Sequence, residues 1–103
     1  MNYSIATDFL KDSDPILGQL IDRIGACQLN QYEMEGDLLL IFRLNRWDVL
    51  PVDDLGVRAG IRKLYGLEAL PDRKTTESFG QRWKPYCSIA SWYLWRSLEL
   101  KPV

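Results

Sequence analysis

The sequence predicts an all-α fold of about five helices in one domain, residues 1–103. Three observations predict it. Apolar residues recur at three- and four-residue spacing in successive segments. No stretch alternates convincingly with the period of two that a half-buried strand needs. Asp, Thr, Gly and Pro stand where helices start and stop. A chain of 103 residues can build one core, with little left over for a second lobe.

The first clear element begins at Asp14-Pro15, where Asp14 can cap and Pro15 suits the first helical position. Ile16, Leu17, Leu20, Ile21 and Ile24 share one helical stripe, Asp22 and Arg23 stay on the wet side, and Gly25 is the stop. Residues 26–36 read as a polar connection. A second helix is expected over residues 37–44, where Leu38, Leu39, Leu40, Ile41, Phe42 and Leu44 make it apolar nearly all round and in need of cover on several sides.

Val49-Leu50-Pro51-Val52 is an extended link, because Pro51 steers Leu50 away from the helical region. Asp53-Asp54-Leu55-Gly56 then starts a helix, with Asp53 as the expected N-cap and Asp54 in the first helical position. Val57, Ile61, Leu64 and Tyr65 form its buried stripe, and Gly66 ends it. Residues 67–74 read as a loop. Thr75 or Thr76 caps a short helix reaching about Trp83, and Pro85 opens the last helix, from Tyr86 to about Leu100. In that helix Ile89, Ala90, Trp92, Tyr93, Leu94 and Leu98 cover most of the circumference.

The absence of His, and two distant cysteines (Cys27 and Cys87) with no CxxC pair, remove the usual zinc sites and any Ser-His or Cys-His nucleophile. No metal or cofactor is expected. Catalysis would rest on carboxylate, Lys, Tyr or backbone groups. The cysteine usage, and an amino terminus with no basic stretch leading into an apolar run, point to a reducing, cytoplasmic setting. The longest apolar run, residues 38–42, is too short to span a bilayer. The net charge of −1 hides an asymmetry: residues 1–37 carry seven acids against two bases, residues 38–103 seven acids against eleven bases. A basic carboxyl-terminal part is compatible with phosphate contact, though many helical domains share such a split.

Asp53-Asp54 is the one acidic pair in a structurally special place. At a helix start a carboxylate meets free backbone N–H groups and the positive end of the dipole, and can stabilise a cationic sugar or orient water. From spacing alone the pair reads first as two capping acids. Trp83, Trp92, Tyr93 and Trp95 bracket the last helix and read as core or as surfaces on which a base stacks. Arg58, Arg62 and Lys63 read as a solvated face or as phosphate contacts.

The ordered set Asp48-Val49-Leu50-Pro51-Val52-Asp53-Asp54-Leu55-Gly56, Arg82-Trp83-Lys84-Pro85-Tyr86 and Trp92-Tyr93-Leu94-Trp95-Arg96-Ser97 resembles DNA-3-methyladenine glycosylase II, of the helix–hairpin–helix glycosylase superfamily. The resemblance covers residues 38–100, the family's carboxyl-terminal part. Residues 12–29, through Asp14-Pro15-Ile16-Leu17 and Ile24-Gly25-Ala26-Cys27, resemble its opening helix segment. It implies a base-excision enzyme that hydrolyses the N-glycosidic bond of alkylated purines in double-stranded DNA, with Asp54 as catalytic aspartate and Trp95 as an aromatic wall of the base pocket.

Two departures accompany it. Residues 30–37 stand where the family places most of a helical barrel and its hairpin of L-P-G-[IV]-G-x-W-T-A type, so the chain looks internally truncated, a lobe of terminal helices without the central barrel. Cys87 stands where relatives commonly have Arg. The alternative is a truncated, non-catalytic helical remnant or interaction module that has lost DNA binding. In either case the apolar segment 38–44 needs cover, from the opening and last helices of the chain, by self-association or by a partner chain.

Overall fold

The computed structural model describes residues 3–25 and 48–100, and for Tyr3 the backbone alone. The segment expected to form a helix over residues 37–44 lies outside them. Among the described residues there are five α-helices, a single 3-10 turn and no strand: α1 (Tyr3–Ser13), α2 (Pro15–Ile24), α3 (Leu55–Tyr65), α4 (Arg73–Gly80), the 3-10 turn Gln81–Trp83, and α5 (Cys87–Ser97). The all-α expectation holds.

Helix α1 is one that the sequence reading does not anticipate. Its buried face is only Ala6 and Leu10, one turn apart, and Asp12-Ser13-Asp14-Pro15 looks like a loop. The chain instead turns on a single residue. The Asp14 amide donates to Leu10 O at 2.9 Å, closing α1, while the Asp14 side chain accepts from Leu17 N at 3.2 Å, opening α2. Pro15 takes the first position of α2, where a missing N–H costs nothing. Leu17, Leu20 and Ile21 are buried as expected, but Ile16 is 45% exposed, because the α1–α2 hairpin turns that edge of the stripe outward. The two helices approach closely at Gly18, where an added Cβ would lie 3.2 Å from Lys11 Cα.

Helix α5 is the axis of the packing. It contacts α1, α2 and α3, with the most extensive contact to α3. Ile89, Ala90, Trp92, Tyr93 and Leu94 are all buried, and each such side chain larger than Ala contributes roughly 1.5–3 kcal/mol of apolar burial. Its buried serines keep their hydroxyls satisfied: Ser91 donates to Cys87 O and Ser97 to Leu94 O. The helix is shorter than expected. It starts at Cys87 and gives way after Ser97 to tight turns, with Leu98 and Glu99 amides donating to Trp95 O and Arg96 O. The α3–α5 crossing is close at Gly60, where a Cβ would meet the Leu94 carbonyl oxygen at 2.5 Å.

Caps explain the remaining boundaries. Asp72 accepts from Thr75 N at 2.8 Å and starts α4 three residues before the threonines that the sequence offers as caps. Thr76 is buried instead, its hydroxyl donating back to Asp72 O. Gly66 closes α3 in the left-handed region at φ 69°.

Asp14 also ties the halves together. It is 2% exposed, and its Oδ2 accepts from Trp83 Nε1 at 2.8 Å and from the Tyr65 hydroxyl. One carboxylate thus caps α2 and joins it to the end of α3 and to the 3-10 turn.

Candidate functional site

The link before α3 is held to α5 by side chains. Val49 N donates to Ser88 Oγ at 3.0 Å, the Ser88 hydroxyl lies 3.4 Å from Val49 O, and Cys87 N donates to Asp48 Oδ1 at 3.4 Å. Ser88 is buried, whereas Val49 is half-buried and Asp48 is exposed. This latch fastens residues 48 and 49 to the start of α5, a few residues before Asp54.

The N-cap of α3 is Asp54, one residue later than the sequence suggests. Its φ of −73° and ψ of 120° are extended, and its Oδ2 accepts from Val57 N at 2.8 Å. Among the described residues Oδ1 has no hydrogen-bond partner. Asp53 lies outside the helix, exposed, and pairs with Arg73 at 3.1 Å. The bond geometry decides between the two acids: a capping carboxylate accepts from the N–H two or three residues on, and Val57 is three residues from Asp54 but four from Asp53.

Trp95 comes to the same place from α5. It is half-buried, packing its inner side on the core, whereas Trp83, Trp92 and Tyr93 are buried within it. The two groups meet over Gly56. A Cβ there would lie 3.1 Å from Asp54 Oδ2 and 3.0 Å from Trp95 Cδ1. A carboxylate oxygen and an indole edge therefore flank one bare stretch of helix backbone. A carboxylate can stabilise a cationic centre, and it is the face of an indole, not its edge, that attracts a planar cation.

The three basic candidates divide. Arg58 Nε donates to Pro71 O at 2.7 Å, bracing the loop before α4. Lys63 Nζ donates to Ser97 O at 2.7 Å and Leu100 O at 2.6 Å, satisfying carbonyls at the end of α5. Arg62 is exposed and makes no ion pair with the described residues. The structure brings Asp54 and Trp95 together, and employs Arg58 and Lys63 in holding backbone.

A cleft of about 330 Å³ lies elsewhere. Asp48, Leu50, Val52, Glu77, Lys84 and Cys87 are among its walls, and neither Asp54 nor Trp95 lines it. Burial first, and the neighbouring Asp48 carboxylate second, push the Cys87 thiol up to about 12. A thiol so placed is a packing group, not a nucleophile. Among the described residues no group of His, Cys, Asp and Glu could hold a metal ion, and no helix is long and apolar enough to cross a membrane.

DNA-3-methyladenine glycosylase 1 of Schizosaccharomyces pombe is 41% identical over 71 residues, which are 65% of this chain and 31% of that protein. The chain is similar to DNA-3-methyladenine glycosylases. A second relative from the same yeast, alkylbase DNA glycosidase-like protein mag2, is 35% identical over 64 residues, 62% of this chain and 30% of its own length. No family model matches. The chain thus spans about a third of the length of these curated glycosylase relatives.

The residue that sequence reasoning misses is Gly56. It reads as one letter of a motif, and its lack of a side chain acquires meaning only when α5 brings Trp95 over it.

Proposed function

We propose that the chain carries the carboxylate and stacking half of an alkylpurine DNA glycosylase site, acting on intracellular duplex DNA that contains 3-methyladenine-type lesions. The observation that carries this reading is the convergence of Asp54 and Trp95 on Gly56, in a chain similar to DNA-3-methyladenine glycosylases. The bond to break joins C1′ of the sugar to the ring nitrogen of the damaged base. Alkylation has already given the base a positive charge, so it departs with the bonding electron pair as a neutral molecule. Positive charge then develops on the sugar, and Asp54 stabilises it as an anion held on a rigid helix end. Water adds to C1′ on the face of that carboxylate and loses its proton to solvent. Trp95 supplies the ring against which the extruded base stacks, an attraction strengthened by the cation.

In this reading residues 38–100 are the carboxyl-terminal part of the glycosylase and residues 12–29 its opening segment. Residues 30–37 are the join from which the hairpin-bearing barrel is missing. Contacts from Arg58, Arg62 and Lys63 to phosphate belong to the same proposal. Arg58 and Lys63 would keep only part of their donors for it, given the carbonyls they already hold.

A second reading is favoured by the same two basic residues and by the share of the relatives that the chain spans. It takes the chain as a non-catalytic helical module, whose apolar segment at residues 38–44 is covered by a second copy or by a partner chain. The deciding experiment is release of free 3-methyladenine or 7-methylguanine from alkylated duplex at high protein and low salt, wild type against Asp54→Asn. Release by the wild type alone supports the glycosylase reading. No release above background by either leaves the helical module.

A further inference from the structure

Gly56 occupies the second position of α3 with ordinary helical backbone. Nothing in its conformation requires glycine, and alanine is the better helix former. The reason for glycine is therefore space. An ideal Cβ would lie 3.0 Å from Trp95 Cδ1, 3.6 Å from Trp95 Nε1 and 3.1 Å from Asp54 Oδ2, where ordinary contact begins near 3.4 Å. Two groups from different helices would both be crowded by one methyl.

Neither can retreat freely. Asp54 Oδ2 is held by Val57 N at 2.8 Å, and withdrawing it breaks the cap of α3. Moving α5 away from α3 would open the closest contact between the two helices. One turn after Gly56, Gly60 already brings the helices so close that a Cβ would lie 2.5 Å from Leu94 O. The strain would pass into rotation of the Trp95 ring or displacement of the Asp54 carboxylate.

We propose that Gly56 is a positioning residue: its missing side chain sets the gap between the Asp54 carboxylate and the Trp95 indole, and so how the two groups are placed towards the sugar and the planar cationic base of an alkylated nucleotide. The nucleotide rests on the glycosylase reading above, whereas the gap itself does not. A glycine of purely structural value at this point of a helix would be improved on, not harmed, by alanine.

The test compares the full-length wild type with Gly56→Ala and Gly56→Ala/Trp95→Phe, using Trp95→Phe to assign the indole signal. Three quantities are read: the thermal midpoint, the Trp95 indole N–H and Asp54 carboxyl resonances, and base release from alkylated duplex. Gly56→Ala is expected to fold with an unchanged or higher midpoint and to move the Trp95 or Asp54 resonances. It should lower kcat for base release measurably but by less than the roughly hundredfold that a misplacement of about 1 Å brings, since the neighbours must give by only a few tenths of an ångström. The smaller Phe ring should return the Asp54 resonance towards its wild-type position. Unmoved resonances, wild-type release by Gly56→Ala, or a Gly56→Ala chain that does not fold each overturn the proposal. If the wild type itself releases no base, the glycosylase reading fails and the resonances alone decide whether Gly56 sets the gap.

Discussion

Replacing Asp54 with Asn separates its two roles. Asn caps helices about as well as Asp, so Asp54→Asn should keep the bond to Val57 N and shift stability by less than about 0.5 kcal/mol in urea titrations. Any base release should nonetheless disappear, because the amide carries no charge with which to stabilise the sugar. Asp14 is the opposite case, since its carboxylate is wholly committed to structure. Asp14→Ala removes a helix cap and leaves the Trp83 Nε1–H and the Tyr65 hydroxyl without their acceptor. The cap contributes about 1 kcal/mol and each orphaned donor about 1–3 kcal/mol, so a loss of about 3–7 kcal/mol is expected from the same titrations. The sequence shows Asp14 as a cap and nothing more. Its partners lie 51 and 69 residues away, and no local pattern announces a contact at that separation.

Elements were legible where their own residues form them. Helices α2 and α3 follow from apolar spacing plus a cap, a proline or a glycine close by, and α5 from a run apolar on nearly every side. Helix α1 was hidden because two small buried positions, Ala6 and Leu10, make a weak stripe, and its stability comes from packing on α2 and α5. The start of α4 was misplaced because Asp72 outcompetes two threonines that look equally able to cap. For the site, the Asp54-bearing helix start was legible, but its meeting with Trp95 was not, since that depends on how closely α3 and α5 cross. The crossing has its own test. Gly60→Ala would drive a methyl into the Leu94 carbonyl, and an overpacked contact of this kind typically costs 1–3 kcal/mol, read as a lower urea midpoint with an unchanged slope.

For the molecule as a whole, alkaline pH is the revealing perturbation. Burial holds the Cys87 thiol up to about 12, and burial together with the bond to Asp14 holds the Tyr65 hydroxyl far above its usual value near 10. Both groups keep their protons in the folded chain and release them more readily when it unfolds. Stability should be level with respect to these groups below about pH 9, and should fall as pH rises through 9 and 10 towards 12. Chemical denaturation at a series of pH values checks this. A midpoint that stays flat to pH 11 would contradict it. The Ser88 latch has a mechanical meaning. Val49 is fastened to the helix that carries Trp95, and Asp54 follows Val49 by five residues of short, turned chain. The indole and the approach to the carboxylate are therefore fastened to one helix, so loosening the Val49–Ser88 tie, as in Ser88→Ala, would free the chain that leads to Asp54 while leaving Trp95 in place.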